Sequence, residues 1–247
     1  MSEQATFWEH LDELRSVIIR SLLVVVAAAI AAFLLKDWLF GVVLAPRSSQ
    51  FVSYRLLGID DSFQLSLMNT GLTEQFMTHM RVSIYAGLLL ASPYVLYQLF
   101  GFIAPGLYKN ERQAATWIAV SAYAMFLLGT LVNYLLIFPL TIRFLGTYQV
   151  SPDVANMLTL QSYIDTFIGM SFVMGVVFEL PVVCAILGKM GLINGRMMAQ
   201  YRRHAVVAIL VVSAIITPTT DAFTLLVVAL PIWLLYEVSI WIVRIKN

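Results

Sequence analysis

One acid lies in the middle of a run that is otherwise apolar. From Phe167 to Leu187 the chain reads FIGMSFVMGVVFELPVVCAIL, and Glu179 is the only acidic or basic side chain in it. A carboxyl group at membrane depth is costly and faces a protein interior or a water-filled cavity rather than lipid. There it is either protonated or held by hydrogen-bond donors. That chemistry serves a structural bond to a neighbouring helix, a contact for a partner, or an ion pathway. Pro181 follows two residues later. It has no N–H to donate, so the carbonyl of Val177 loses its helical partner and a kink is predicted there.

Two further acids fall at span ends. In Phe7-Trp8-Glu9-His10-Leu11-Asp12-Glu13-Leu14-Arg15, the residues Phe7, Leu11, Leu14 and Ile18 share one helical face. Glu9 and Glu13 are four apart, which sets like charges side by side. They read either as acids favoured by a helix N-terminus or as part of a cation-binding surface. The stretch 97–112, YQLFGFIAPGLYKNER, places Phe102, Ile103, Leu107 and Tyr108 near Glu111. Its Pro105-Gly106 pair is a turn signal. It reads as an interfacial aromatic belt with a capping acid.

Other chemistries find little support. The chain has no HExxH, no GxSxG and no phosphate-binding glycine loop, so an enzyme is not expected. His10, His79 and His204 are far apart and read as satisfied or solvated rather than as a ligand set. Cys184 is the single cysteine, which excludes an intramolecular disulfide and argues against a cysteine metal cluster. No metal and no cofactor are expected. Asp165 reads as a helix-terminal charge, and Glu237 and Arg244 as interfacial.

The elements that must position these acids follow from composition. Of 247 residues, 60% are hydrophobic and 12% charged, which marks a polytopic membrane protein. The fold expected is all-α, a single polytopic domain over 1–247 with six transmembrane helices at about 17–35, 76–100, 114–138, 163–187, 204–217 and 222–243. The fifth span is short for a bilayer. Glu3, Glu9, Asp12 and Glu13 stand where a cleavable leader would be basic, so none is expected.

With both termini in the cytoplasm, Arg15, Arg20, Lys109, Arg112, Lys189, Arg196, Arg202, Arg203, Arg244 and Lys246 lie inside, and Lys36, Arg47, Arg55, Arg81 and Arg143 outside. That is 10 against 5, in the sense of the positive-inside rule. The long outer loop from Lys36 to Gly71 holds Pro46 and the apolar Phe51, Tyr54, Leu56 and Leu57, and is expected to fold back as a cap. Thr73 and Glu74 read as a helix start. Pro139 is expected to end the third span, and Pro152 and Asp153 to punctuate the following loop. Asp221 reads as the cap of the last helix.

Five motifs in order carry a resemblance: HLDELR at 10–15, AP at 45–46, the loop at 97–112, FELP at 178–181 and TPTTD at 217–221. Together they resemble TatC, the multispan core of the twin-arginine protein translocase, over nearly the whole chain. The resemblance implies a concave six-helix arrangement in the cytoplasmic (inner) membrane. It implies a receptor for twin-arginine signal peptides that moves folded proteins with small single-span subunits of the TatA/TatB type, within a larger self-associated complex and at the expense of the proton-motive force. By match to the family motifs, Glu13, Glu111, Phe102 and Arg15 would form the signal-peptide site. Glu179 and Asp221 would be intramembrane or partner contacts, and Pro46, Pro105 and Pro181 structural. Two adjacent guanidiniums need carboxylates in reach, because charge-assisted bidentate bonds are the strong ones. The chain departs from the family pattern at Thr219 and Thr220, where prolines are usual, and at Leu225, where glutamine is common. Expected partners are signal peptides, single-span subunits and membrane lipid, with no nucleic acid. The alternative function is a secondary transporter of ions or small solutes using Glu179 in a broken helix.

Overall fold

The computed structural model describes residues 2–59, 63–107, 112–149, 151, 156–217 and 221–246; of these, the side chains of 2–7, 9, 10, 103–107, 112–115, 245 and 246 are not described. Helices dominate. In order they are α1 (Ser2–Leu34), α2 (Lys36–Val43), a 3-10 turn (Ala45–Arg47), α3 (Val52–Leu56), α4 (Glu74–Leu107) and α5 (Arg112–Val132). A π-type turn (Asn133–Ile137) leads into α6 (Phe138–Thr147), followed by α7 (Leu160–Val177), α8 (Leu180–Lys189), α9 (Gly195–Gln200), α10 (Arg202–Ile216) and α11 (Ala222–Lys246). Two-residue strands β1 (Leu67–Met68) and β2 (Leu158–Thr159) pair in parallel, Leu67 with Leu158 and Met68 with Thr159.

Among the described residues, five helical stretches are long and apolar enough to cross a membrane: Leu11–Leu34, Glu74–Phe102, Thr116–Thr147, Leu160–Lys189 and Ala222–Arg244. The expected fifth span corresponds to α10, of 15 residues. At about 1.5 Å per residue it covers about 22 Å of a hydrocarbon core about 30 Å thick.

The chain forms two compact units. The first comprises residues 1–39 and 79–124. Within it α1 and α4 approach closely at Gly87, where an added Cβ would lie 2.5 Å from the backbone nitrogen of Ala29. Small residues allow such backbone approach where helices meet in lipid. His79 stacks on Phe33, with ring centroids 4.0 Å apart, and its Nε2 lies 3.1 Å from the Phe33 carbonyl oxygen. This is the satisfied histidine expected. The outward residues of α1, among them Ile18, Leu22, Leu23 and Ile30, are exposed, as suits a lipid-facing surface.

The second unit comprises residues 40–78 and 125–247. Two sequence expectations fail on proline. Pro139 does not end the third span, which runs on to Thr147. The preceding turn widens instead: the N–H of Phe138 donates to the carbonyl of Asn133, five residues back. A widened turn shifts the register by one residue just before the proline, which relieves the clash of its ring with the carbonyl four residues back. In the first unit, Pro105-Gly106 does not form a turn, because α4 continues through both to Leu107. So close to a helix end, the proline removes a single bond, the one to the carbonyl of Gly101.

The break expected near Pro181 is present. α7 ends at Val177 and α8 begins at Leu180. The intervening Glu179 N–H reaches back only three residues, to Val176 (3.0 Å).

Candidate functional site

Glu179 sits in the break between α7 and α8. α5 packs against the segment that leads into it: a Cβ on Gly129 would come 2.5 Å from the Met174 carbonyl oxygen and 2.8 Å from Phe178 Cβ. Phe126 covers Gly175 in the same way. Phe178 and Pro181 are buried on either side. The helix resumes with the Val183 N–H donating to the Glu179 carbonyl (2.9 Å). These backbone groups are paired across the break, and the Glu179 side chain is not. Both carboxyl oxygens of Glu179 are buried, and neither meets a hydrogen-bond partner among the described residues. The structural bond to a neighbouring helix, one of the readings of this acid, is absent among the described residues. What remains is a carboxyl able to donate one bond and accept others when protonated, or to accept only when ionised.

A second polar pair lies within the same unit. Asn133, in the π-type turn, donates from Nδ2 to Ser171 Oγ at 2.7 Å. Asn133 is fully buried, and its Oδ1 has no partner among the described residues. Sequence reasoning missed it, although an asparagine within an apolar span is a visible signal.

A third acid does more than expected. Glu74 Oε2 accepts from the Thr70 N–H (2.8 Å), the Thr70 hydroxyl (3.1 Å) and the Gly71 N–H (2.9 Å). Its Oε1 accepts from the Gln161 N–H at 2.9 Å. One carboxylate thus holds the start of α4, the turn before it and the start of α7, beside the β1–β2 pair. Thr159 caps α7, its hydroxyl accepting the Ser162 N–H. The reading of Glu74 as a helix-start acid is correct in kind. Its bond to Gln161, 87 residues away, has no local signal.

The connection 44–66 is organised by Tyr54, which is fully buried. Its hydroxyl lies 3.0 Å from the Pro46 carbonyl and 2.9 Å from that of Pro139, one donor shared by two acceptors. Burial pushes the phenol above its usual pKa. Phe63 meets its ring edge-on, with centroids 5.0 Å apart, and the Arg143 guanidinium lies 5.8 Å over Phe63. Pro46 is buried in the 3-10 turn. Its carbonyl, rather than its ring alone, gives it a role.

Asp221 caps α11. Its Oδ1 accepts the Thr224 N–H at 2.7 Å and its carbonyl accepts the Leu225 N–H. The departures at Thr219 and Thr220 lie outside the described residues, as do Pro152 and Asp153.

The expected signal-peptide residues are described less completely. Glu13 and Arg15 are exposed on α1, and Phe102 is half-buried near the end of α4. Glu111 lies outside the described residues, and the side chain of Pro105 is not described. Glu13, Arg15 and Phe102 belong to the first unit and Glu179 and Asp221 to the second.

Residues 9–231 match the family model described as Sec-independent protein translocase protein (TatC). The Sec-independent protein translocase protein TatC of Carboxydothermus hydrogenoformans is 32% identical over 97% of this chain and 93% of its own length. That of Deinococcus radiodurans is 33% identical over 98% and 86%. A crystal structure titled as the twin-arginine translocase receptor TatC, in DDM, is similar with a TM-score of 0.78 and 30% identity, over 94% of this chain and 98% of that one.

Proposed function

Because the chain belongs to the TatC family of Sec-independent protein translocase proteins and is a multi-pass membrane protein, we propose that it is the twin-arginine signal-peptide receptor of its translocase. Similarity over 94% of the chain to a structure titled as the twin-arginine translocase receptor TatC is the observation that carries this reading. In this reading the chain is one polytopic membrane domain over 1–247. It has six spans in a concave arrangement, α10 serving as a short fifth span, and both termini in the cytoplasm of a cell whose inner membrane it occupies. The 44–73 connection is the cap on the opposite side.

Glu13 and Glu111 hold the paired guanidiniums of the signal peptide. Two carboxylates match two guanidiniums in charge and in bidentate geometry, where lysines offer only point charges. Phe102 packs against the apolar part of the peptide, and Arg15 sets the local charge balance beside Glu13. The exposure of Glu13 on α1 supports this reading.

Glu179 is the contact for a single-span partner. Its unpartnered carboxyl supports the role, since a buried polar group gains most from a donor brought by another helix. Asp221 is a second partner contact, made from a residue already engaged as a helix cap. The protein does no covalent chemistry; transport draws on the proton-motive force and on partner subunits. The small-solute transporter alternative shares the broken helix at Glu179, but the family membership favours protein as cargo.

The test is site-specific photocrosslinking from positions 13, 102 and 111 to a signal peptide. Crosslinks to a twin-arginine peptide, lost with a twin-lysine control and with Glu111→Lys, are the expected result. Undiminished crosslinking of the Glu111→Lys variant refutes the assignment.

A further inference from the structure

At one end of the second unit, α8 finishes, α9 docks, α10 begins and α11 finishes. α9 is fixed there by three contacts with α11. The Arg244 side-chain stem lies directly on Gly195, so closely that no Cβ fits. The Tyr236 hydroxyl donates to the Met198 carbonyl at 2.8 Å. Met198, Ile240 and Val243 form a small apolar core. Asn194 caps α9, its Oδ1 accepting the Met197 N–H at 2.7 Å. The segment is therefore built, and what it presents outward is set by the fold.

It presents cations. Lys189, Arg196, Arg202, Arg203 and Arg244 are all exposed. The acid facing them is Glu237, which takes Arg202 at 2.6 Å. Arg196, Arg203 and Arg244 have no ion pair among the described residues. Arg202 and Arg203 also occupy the first turn of α10, where the positive end of a helix disfavours a cation. Charge at this end accumulates where local electrostatics oppose it, and a bound anion relieves both terms.

It also presents apolar side chains among those cations. Leu192 is 62% exposed, Tyr201 54% and Met190 48%. In water such a mixture gains nothing. At the boundary of a bilayer the apolar parts reach the acyl region while guanidiniums stay at headgroup level. An acidic protein segment would satisfy the charge and leave the apolar rim in water.

We propose that this end of the second unit binds an anionic phospholipid, with Arg196, Arg203 and Arg244 on the headgroup phosphate and Met190, Leu192 and Tyr201 against its acyl chains. The proposal rests on the chain being a membrane protein and is independent of the signal-peptide site. The arginines give the site selectivity, because a guanidinium meets two phosphate oxygens at once.

The test uses the full chain purified in an uncharged detergent. Native mass spectrometry reads bound lipid after titration with phosphatidylglycerol or phosphatidylcholine. Retention of phosphatidylglycerol over phosphatidylcholine is expected. Each basic residue near an anionic surface is worth roughly fivefold, so the triple variant Arg196→Gln/Arg203→Gln/Arg244→Gln should bind phosphatidylglycerol roughly 100-fold more weakly. The matching triple lysine variant keeps the charge and should retain most of the binding. Equal retention of the two lipids by the wild-type chain overturns the proposal, whatever the variants do. So does displacement by inorganic phosphate at millimolar concentration, which would make the site one for a free anion, or by an acidic peptide that outcompetes phosphatidylglycerol. Signal-peptide crosslinking of the glutamine variant should be unchanged, which separates this test from that of the receptor reading.

Discussion

Replacing Glu179 by leucine should make the isolated chain more stable while removing its transport activity. Both carboxyl oxygens of Glu179 are buried without a partner among the described residues. A buried polar group left unsatisfied costs about 1–3 kcal/mol. Leucine is of similar size and carries no polar atoms, so the substitution removes that cost and adds apolar burial. Pro181 is untouched, so the break between α7 and α8 persists. The expected gain is about 1–3 kcal/mol, partly offset by any repacking beside Phe178. The half-buried Cys184, the chain's single cysteine, supplies the assay. A thiol-reactive dye reports thermal opening of the second unit at one defined position. Glu179→Leu should raise the midpoint by a few degrees, and Glu179→Gln, which keeps the polar atoms, should leave it near wild type. Transport of a folded twin-arginine cargo by membrane vesicles should be lost with leucine. A midpoint for Glu179→Leu well below wild type refutes the reasoning, because it would mean that the carboxyl already makes stabilising bonds within the chain.

Other outcomes follow from the same geometry. Glu74→Gln replaces one accepting oxygen with a donor facing a backbone N–H, so the thermal midpoint should fall and limited proteolysis should cut sooner in 63–73 or 156–161; an unchanged cleavage pattern would show that the carboxylate is not what holds these segments. Gly87→Ala drives a Cβ into the Ala29 backbone and should cost about 1–3 kcal/mol, whereas Gly101→Ala, which meets nothing within 4 Å, should be neutral or slightly stabilising by helix propensity; thermal unfolding of the two variants side by side reads the contrast.

Much of this architecture was legible because it rests on local rules. Long apolar runs set the spans. The break after α7 was legible from Pro181, which leaves the Val177 carbonyl without its helical donor. Asp221 was legible as a cap from its place before an apolar run. Two prolines misled for one reason: what surrounds a proline decides whether the helix absorbs it. At Pro139 the widened turn at Asn133–Ile137 does so, and that turn has no composition of its own to betray it. At Pro105 the helix is already near its end. The long-range bonds were illegible in principle. Tyr54 reads as one more apolar residue of a loop, and nothing near it announces the carbonyl of Pro139, 85 residues on.

The buried acid Glu179 and amide Asn133 of the second unit differ from the polar groups that hold its segments together. Two polar groups that tie distant segments together are well supplied: Glu74 accepts four bonds, and the Tyr54 hydroxyl is shared by two carbonyls. Glu179 and the Oδ1 of Asn133 are buried and left short among the described residues, although the backbone beside each has been adjusted, by a break in one case and a π-type turn in the other. Buried hydroxyls at Thr141, Ser213 and Thr224 also lack a partner among the described residues, but a carboxyl left short costs more than a hydroxyl. Unsatisfied capacity at membrane depth is useful only to something that arrives, and a helix entering from the bilayer can supply donors that lipid cannot. In the proposed role of Glu179 as a partner contact, the free energy withheld from the isolated chain would be released when a partner helix donates to that carboxyl.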